Sequence, residues 1–167
     1  ASPSVTPTGG PFSGTMYPQG TSVLSGQEGT AATAQISAAN GTWVGSPRNP
    51  LVYTATGVTA TYSGGQTSFD LYLDAGGNVG NGTQLRVSYD LTGDGTFDRV
   101  ETYNYFATDP VNGWEHYTQA RGLYSGVGTL GNLVGGTVKV EIWNAIGGTS
   151  TNLGTGNQSR IVLPYTG

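Results

Sequence analysis

At 167 residues and 17.1 kDa the chain is the size of one domain. Only 10% of it is charged and 29 positions are Gly, a composition poor in helix-favouring Lys, Glu and Leu and rich in the residues of short strands and tight turns. A net charge of −4 argues against a nucleic-acid partner, which needs a Lys/Arg cluster, the lack of Cys excludes disulfides and thiolate zinc sites, and no apolar run approaches the ~20 residues that span a bilayer.

Residues 1–25, with Pro3, Pro7, Gly9, Gly10, Pro11 and Pro18, read as a linker-like or irregular edge segment, and 26–167 as a single domain. Beyond it the pattern has period two. Ser68–Asp74 alternates with Phe69, Leu71 and Leu73 on one face, and Gln84–Leu91 with Leu85, Val87, Tyr89 and Leu91. Arg99–Phe106 predicts a third strand, and Thr137–Asn144 a fourth with Val138, Val140 and Ile142 inward. Weaker candidates are Ala32–Ile36, Val52–Thr56, Val58–Tyr62 and Ser159–Leu163, separated by turns such as Gly64-Gly65, Gly76-Gly77-Asn78 and Gly147-Gly148. The expectation is an all-β, antiparallel β-sandwich, jelly-roll-like, of about eight strands with no substantial helix.

With the apolar faces packed inward, the opposite faces carry Tyr72, Arg86, Tyr103, Tyr105, Lys139, Glu141 and Trp143. Flat amphipathic rings beside a few hydrogen-bonding groups suit a sugar, whose C–H patches lie on aromatic rings while its hydroxyls need partners. The competing reading makes these rings cross-strand packing partners or places them beneath a covering loop. Trp114, in Gly113-Trp-Glu-His-Tyr117, offers a ligand contact from a loop, with His116 as a loop hydrogen-bonder.

Asp90 to Glu101 places oxygen-bearing side chains at positions 1, 3, 5, 9 and 12 of a twelve-residue loop, with Gly95 at position 6 and the Thr96 carbonyl at 7. Asp90, Thr92, Asp94, Thr96, Asp98 and Glu101 are therefore candidate ligands of one structural Ca2+. The helices that flank an EF-hand loop are missing. The alternative is a β-hairpin whose Asp side chains satisfy turn amides, with Glu101 on a strand and out of reach. No organic cofactor is expected.

Gly126-Val-Gly128-Thr-Leu-Gly131 matches a dinucleotide fingerprint but follows no apolar strand and opens no helix. One His and no Gly-x-Ser-x-Gly leave no hydrolytic triad. The enzyme alternative is a small glycoside hydrolase using Glu101 and Glu141, both expected to point outward, as the two carboxyls that glycoside hydrolysis requires.

The run Ser88-Tyr-Asp-Leu-Thr-Gly-Asp-Gly-Thr-Phe-Asp-Arg-Val-Glu-Thr-Tyr-Asn-Tyr-Phe-Ala-Thr-Asp-Pro110 resembles a segment of accessory β-sandwich modules on secreted polysaccharide-degrading enzymes, glucanases in particular. Gly113–Gln119, Gly135–Ala145 and Gly154–Ser159 resemble the same modules, so the likeness covers residues 84–165. The resemblance implies a non-catalytic carbohydrate-binding module that anchors a glycoside hydrolase to polysaccharide, a β-glucan first of all. The expected protein is secreted, with Ala1-Ser-Pro-Ser4 read as a mature or excised N-terminus. It is expected to be monomeric, tethered to a catalytic domain, and without nucleic-acid or membrane partners.

Overall fold

The computed structural model describes residues 13–76, 82–107, 113–119 and 123–167. Fourteen strands and no helix make up the described chain. They are β1 (Thr15–Gln19), β2 (Val23–Ser25), β3 (Ala32–Ile36), β4 (Leu51–Tyr62), β5 (Ser68–Asp74), β6 (Gly82–Asp90) and β7 (Arg99–Tyr103). The second half of the chain supplies β8 (Phe106–Ala107), β9 (Glu115–Gln119), β10 (Leu123–Gly128), β11 (Leu133–Ile146), β12 (Thr151–Thr155), β13 (Arg160–Val162) and β14 (Tyr165–Thr166).

The strands pair as two runs. One runs β10-β7-β6-β11-β4, and in the other β5 pairs with β9, β12 and β13, while β12 also pairs with β3. β1 pairs with both β13 and β2, and β2 continues onto β4, which joins the two runs. All pairings are antiparallel except β2 on β4, at Val23↔Thr54. Two expectations are thereby corrected: the described residues alone form fourteen strands, not about eight, and the pairing is mixed rather than wholly antiparallel.

The core lies where the buried faces of the two runs meet. Phe69, Leu71 and Leu73 of β5, Leu153 of β12 and Ile161 of β13 join one cluster with Leu85, Val87, Val138, Val140, Ile142 and Tyr53 of the other run. Contact between the runs is direct: the Phe69 and Tyr103 rings meet edge to face at 5.3 Å. Each large apolar side chain so buried contributes ~1.5–3 kcal/mol, and alternation along each strand delivers them to one side.

Two of the expected strands, Val52–Thr56 and Val58–Tyr62, are a single twelve-residue strand. Gly57 sits between them at φ +66, where the register against β11 shifts between Gly136↔Val58 and Val138↔Ala55. Its left-handed backbone absorbs a bulge and leaves the ladder to continue on either side.

The segment read as linker-like also differs. Residues 1–12 lie outside the described residues, as do Gly77 and Asn78 of the expected Gly76-Gly77-Asn78 turn. Residues 13–25 hold β1 and β2, with Met16 at 0% and Leu24 at 1% exposure. Pro18 is tolerated because β1 is only five residues long and pairs at Thr15 and Met16 on one side and Tyr17–Gln19 on the other. Met16→Ala is expected to cost ~2–5 kcal/mol in denaturant unfolding, as for a core methionine, where the same change in a linker would stay within about ±0.5 kcal/mol.

Candidate functional site

The face of β6 and β11 that points away from the core is largely closed. Residues 37–50 fold over it and are tied down along its length. The Trp43 N–H donates to the Ala145 carbonyl, the Gly45 N–H donates to Gln84 Oε1 at 2.8 Å, and Trp143 Nε1 donates to the Trp43 carbonyl at 3.0 Å. Arg86 donates through Nη2 to the Gly45 carbonyl and through Nε to Thr102 Oγ1, both at 2.9 Å, with its guanidinium 6.0 Å from the centre of the Trp143 ring.

Trp143 is therefore 0% exposed, and the expectation that it stacks on sugar is corrected. Its indole faces away from the core, as its place in β11 requires, but a loop supplies a second apolar layer. Lys139 lies 4.7 Å over the Phe97 ring and 3.8 Å from Glu141, so these charges serve one another. Tyr105 is exposed beside Gly82 at the end of β6.

Tyr103 is a second correction. It faces the core at 4% exposure, and Glu101 two residues earlier does the same. The register leaves no choice: Glu101 pairs with Val87 and Val87 with Val140, both core residues, while Glu141 pairs with Arg86 and Arg86 with Thr102. Glu101 and Glu141 thus lie on opposite faces, so these two carboxyls do not flank a common glycosidic bond.

The buried Glu101 carboxylate is satisfied by hydroxyls. Thr67 Oγ1 donates to its Oε1 at 2.6 Å and Tyr103 OH donates to the same oxygen at 2.8 Å, while Arg99 Nε donates to Oε2 at 3.0 Å. Thr67 has one proton and gives it to the carboxylate, so the Tyr89 hydroxyl, 2.7 Å away, donates to Thr67. Burial, with the nearby Glu101 charge, pushes the Tyr103 and Tyr89 hydroxyls well above the ordinary tyrosine value. They remain protonated donors over any physiological pH.

The acidic loop is a hairpin between β6 and β7, closed by the Asp98 N–H donating to the Tyr89 carbonyl at 2.8 Å. Asp90 accepts from the Gly93 and Asp94 amides on Oδ1 and from Gly95 on Oδ2. Burial raises its pKa, but these amide hydrogen bonds outweigh that and hold it below the ordinary 3.8. Asp98 Oδ2 accepts from Leu91 N–H and Asp94 Oδ1 from Thr96 N–H.

Asp90, Asp94 and Asp98 still bring one carboxylate oxygen each within 4.8 Å of the others. Three carboxylates fit a hard cation in charge and chemistry. Thr92 and Thr96 stand exposed in the same turn. Glu101, turned into the core, is no part of the group, which corrects its place in the ligand set.

An open aromatic face is found on the other run. Tyr72 of β5 lies between core residues Leu71 and Leu73, so it points outward, and pairs with His116 of β9. Its ring stacks on Trp114 at 4.9 Å and 24°, and lies 4.5 Å from the His116 ring. Asp70, two residues before Tyr72, accepts from His116 Nδ1 at 2.8 Å, which fixes the imidazole against the tyrosine. Ser159 Oγ accepts from the Tyr72 N–H, seating β5 against the turn after β12. Tyr72 and Trp114 are half-buried and His116 is exposed.

Of the eight residues expected to bind ligand, the structure brings Tyr72 and Trp114 together and leaves Arg86, Lys139 and Glu141 on the partly covered face. His116, Asp70 and Arg160 belong to the open face and were missed as site residues. Alternation alone places Asp70 beside Tyr72; His116 needed the recognition of β9, whose Glu-His-Tyr-Thr-Gln shows no clean alternation.

No family model and no curated protein matches the chain. Among solved structures it is similar to a CocE/NonD family hydrolase, SACOL2612, from Staphylococcus aureus, at 10% identity and TM-score 0.54, covering 90% of this chain and 36% of that one. A second structure of that hydrolase, at 1.95 Å, gives 10% identity and TM-score 0.53, covering 92% and 36%. The chain thus spans about 36% of the hydrolase's length, and at this identity the likeness is one of fold alone.

Trp143→Ala is expected to cost ~3–5 kcal/mol in denaturant unfolding, the range for emptying a buried aromatic site. A surface stacking residue would show no such loss.

Proposed function

We propose that this chain is a jelly-roll-like β-sandwich serving as a secreted, monomeric, non-catalytic carbohydrate-binding module. Its role is to hold a tethered catalytic domain on polysaccharide by raising the local concentration of substrate. The carrying observation is the Trp114–Tyr72–His116 row on the outward side of β5 and β9, with Asp70 fixed beside it. Rings held by strand pairing offer sugar C–H surface a preformed partner, and little ordering cost is left for binding. A β-glucan is the ligand class drawn from the resemblance over residues 84–165.

The test is adsorption of the purified chain to cellulose, β-1,3-glucan, α-1,3-glucan, chitin and xylan, with released reducing sugar assayed in the same tubes. Retention without release is expected. Trp114→Ala and Tyr72→Ala should each weaken retention at least about tenfold, a loss of ~1.4 kcal/mol, with thermal unfolding little changed. Sugar release, or retention indifferent to both substitutions, overturns the reading.

The acidic hairpin is proposed to hold one structural Ca2+ through Asp90, Asp94 and Asp98. Extracellular calcium sites bind at ~10⁻⁴–10⁻³ M, so 10 mM Ca2+ should stabilise by up to ~2.7 kcal/mol and raise the melting midpoint by ~5–10 °C. A midpoint unmoved between excess chelator and 10 mM Ca2+ removes the ion and leaves the turn amides as the whole function of these carboxylates.

A further inference from the structure

Arg160 is the anomaly of the open face. It precedes core residue Ile161 in β13, so its side chain points to the same outward side as Asp70, its direct cross-strand partner, and Tyr72 two residues further on. Its Nε is buried with no hydrogen-bond partner among the described residues. No ion pair among the described residues holds its guanidinium either, for Asp70 bonds His116 instead.

A guanidinium has five donors and no acceptor, and buried donors in native structures are matched. Here the neighbouring carboxylate that would neutralise it is already engaged. Among the described residues the guanidinium therefore has no ion-pair partner, and it stands at the margin of a row of stacked rings.

Resting on the proposed carbohydrate-binding reading of this same face, we infer that its ligand is an acidic polysaccharide, a β-linked chain carrying uronate carboxylates, with Arg160 as the residue that recognises them. The chemistry of both partners fits. A uronate ring keeps the C–H patch that lies on an aromatic ring, while its C6 carboxylate projects from the ring edge. Two parallel N–H donors of a guanidinium match the two oxygens of a carboxylate, a fit that neither a hydroxyl nor a lysine ammonium reproduces. Asp70, held by His116 Nδ1, and Asp74, whose Oδ1 accepts from the Gly76 N–H, are the other charges on outward positions of β5. Both are acidic and carry hydrogen bonds of their own, which leaves Arg160 to meet the incoming anion.

The experiment is isothermal titration of the full chain with matched oligosaccharides: β-1,4- and β-1,3-linked glucan hexamers, and the same hexamers oxidised at C6 to glucuronates. At least one oxidised hexamer should bind about tenfold tighter than its neutral counterpart, as expected of a charge-assisted bidentate pair, and the preference should shrink as salt is raised. Arg160→Gln should abolish the preference, so that oxidised and neutral hexamers bind that variant equally, and Arg160→Lys should restore only part of the difference. Both variants are checked by thermal unfolding; if either fails to fold, the wild-type preference and its salt dependence decide. Equal binding of neutral and oxidised hexamers overturns the inference and leaves the carbohydrate reading standing. Binding of none of the four overturns both.

Discussion

The register of β11 governs which chemical groups this protein shows to solvent. Fourteen residues long, β11 is laddered to β4 on one side and to β6 on the other. A pleated strand held on both edges cannot roll, so Val138, Val140 and Ile142 face the core while Lys139, Glu141 and Trp143 face the other way. β6 inherits that choice and passes it to β7. The outcome for the acids follows from counting: Glu101 falls in step with Val87 and Val140, and is committed to the interior although it is charged. The fold tolerates it because Thr67, Tyr103 and Arg99 all donate to the carboxylate. Removing any one of them would leave a buried charge short of partners.

Much of this architecture is legible in the sequence, and the part that is not fails for definable reasons. β3 is found at Ala32–Ile36, and β5, β6 and the centre of β11 follow from clean alternation. The strands that escape are short, edge-lying or rich in Gly: β10 is Leu-Tyr-Ser-Gly-Val-Gly and β12 is Thr-Asn-Leu-Gly-Thr. Such strands are specified by the partners waiting for them, which a single sequence does not display. The faces were harder. Polar character predicts an outward Glu101 and Tyr103, and both are buried because the Thr67 hydroxyl, distant in sequence and itself bonded to the Tyr89 hydroxyl, donates with Tyr103 to the carboxylate inside the core. For Trp143 the face was right and the exposure wrong. Residues 37–50, which carry no strand and no apolar alternation, are the cover.

That cover makes the two outward surfaces of the molecule chemically different. On β6 and β11, the loop takes up Gln84, Arg86 and Trp143, and Lys139 turns to Phe97 and Glu141, so the groups that suited a sugar are spent on the protein itself. Within the loop, Asn40 and Asn49 adopt positive φ, and the Arg48 guanidinium lies 4.0 Å from the centre of the Trp43 ring. Beside β5, unspent capacity remains in Arg160 of β13, His116 of β9 and Trp114 just before β9.

The open face is also shaped by a residue with no side chain. Gly154 of β12 has no left-handed backbone to explain it, yet a Cβ there would lie 2.8 Å from the Tyr72 ring and 2.8 Å from Gln158 Oε1. Space is what this glycine supplies, not conformational freedom: the tyrosine lies down against the backbone of the neighbouring strand. Trp114 and His116 then meet a ring already immobilised from below, and Asp70 holds the imidazole from the side. Stacked pairs of this kind contribute only ~0.5–1.5 kcal/mol beyond the area they bury, too little to account by itself for ordering three rings in water. The ordering comes instead from the sheet. Because pairing of β5 with β9 and β12 is maintained by the core, the row is built as the chain folds, and the entropy of arranging it is charged to folding.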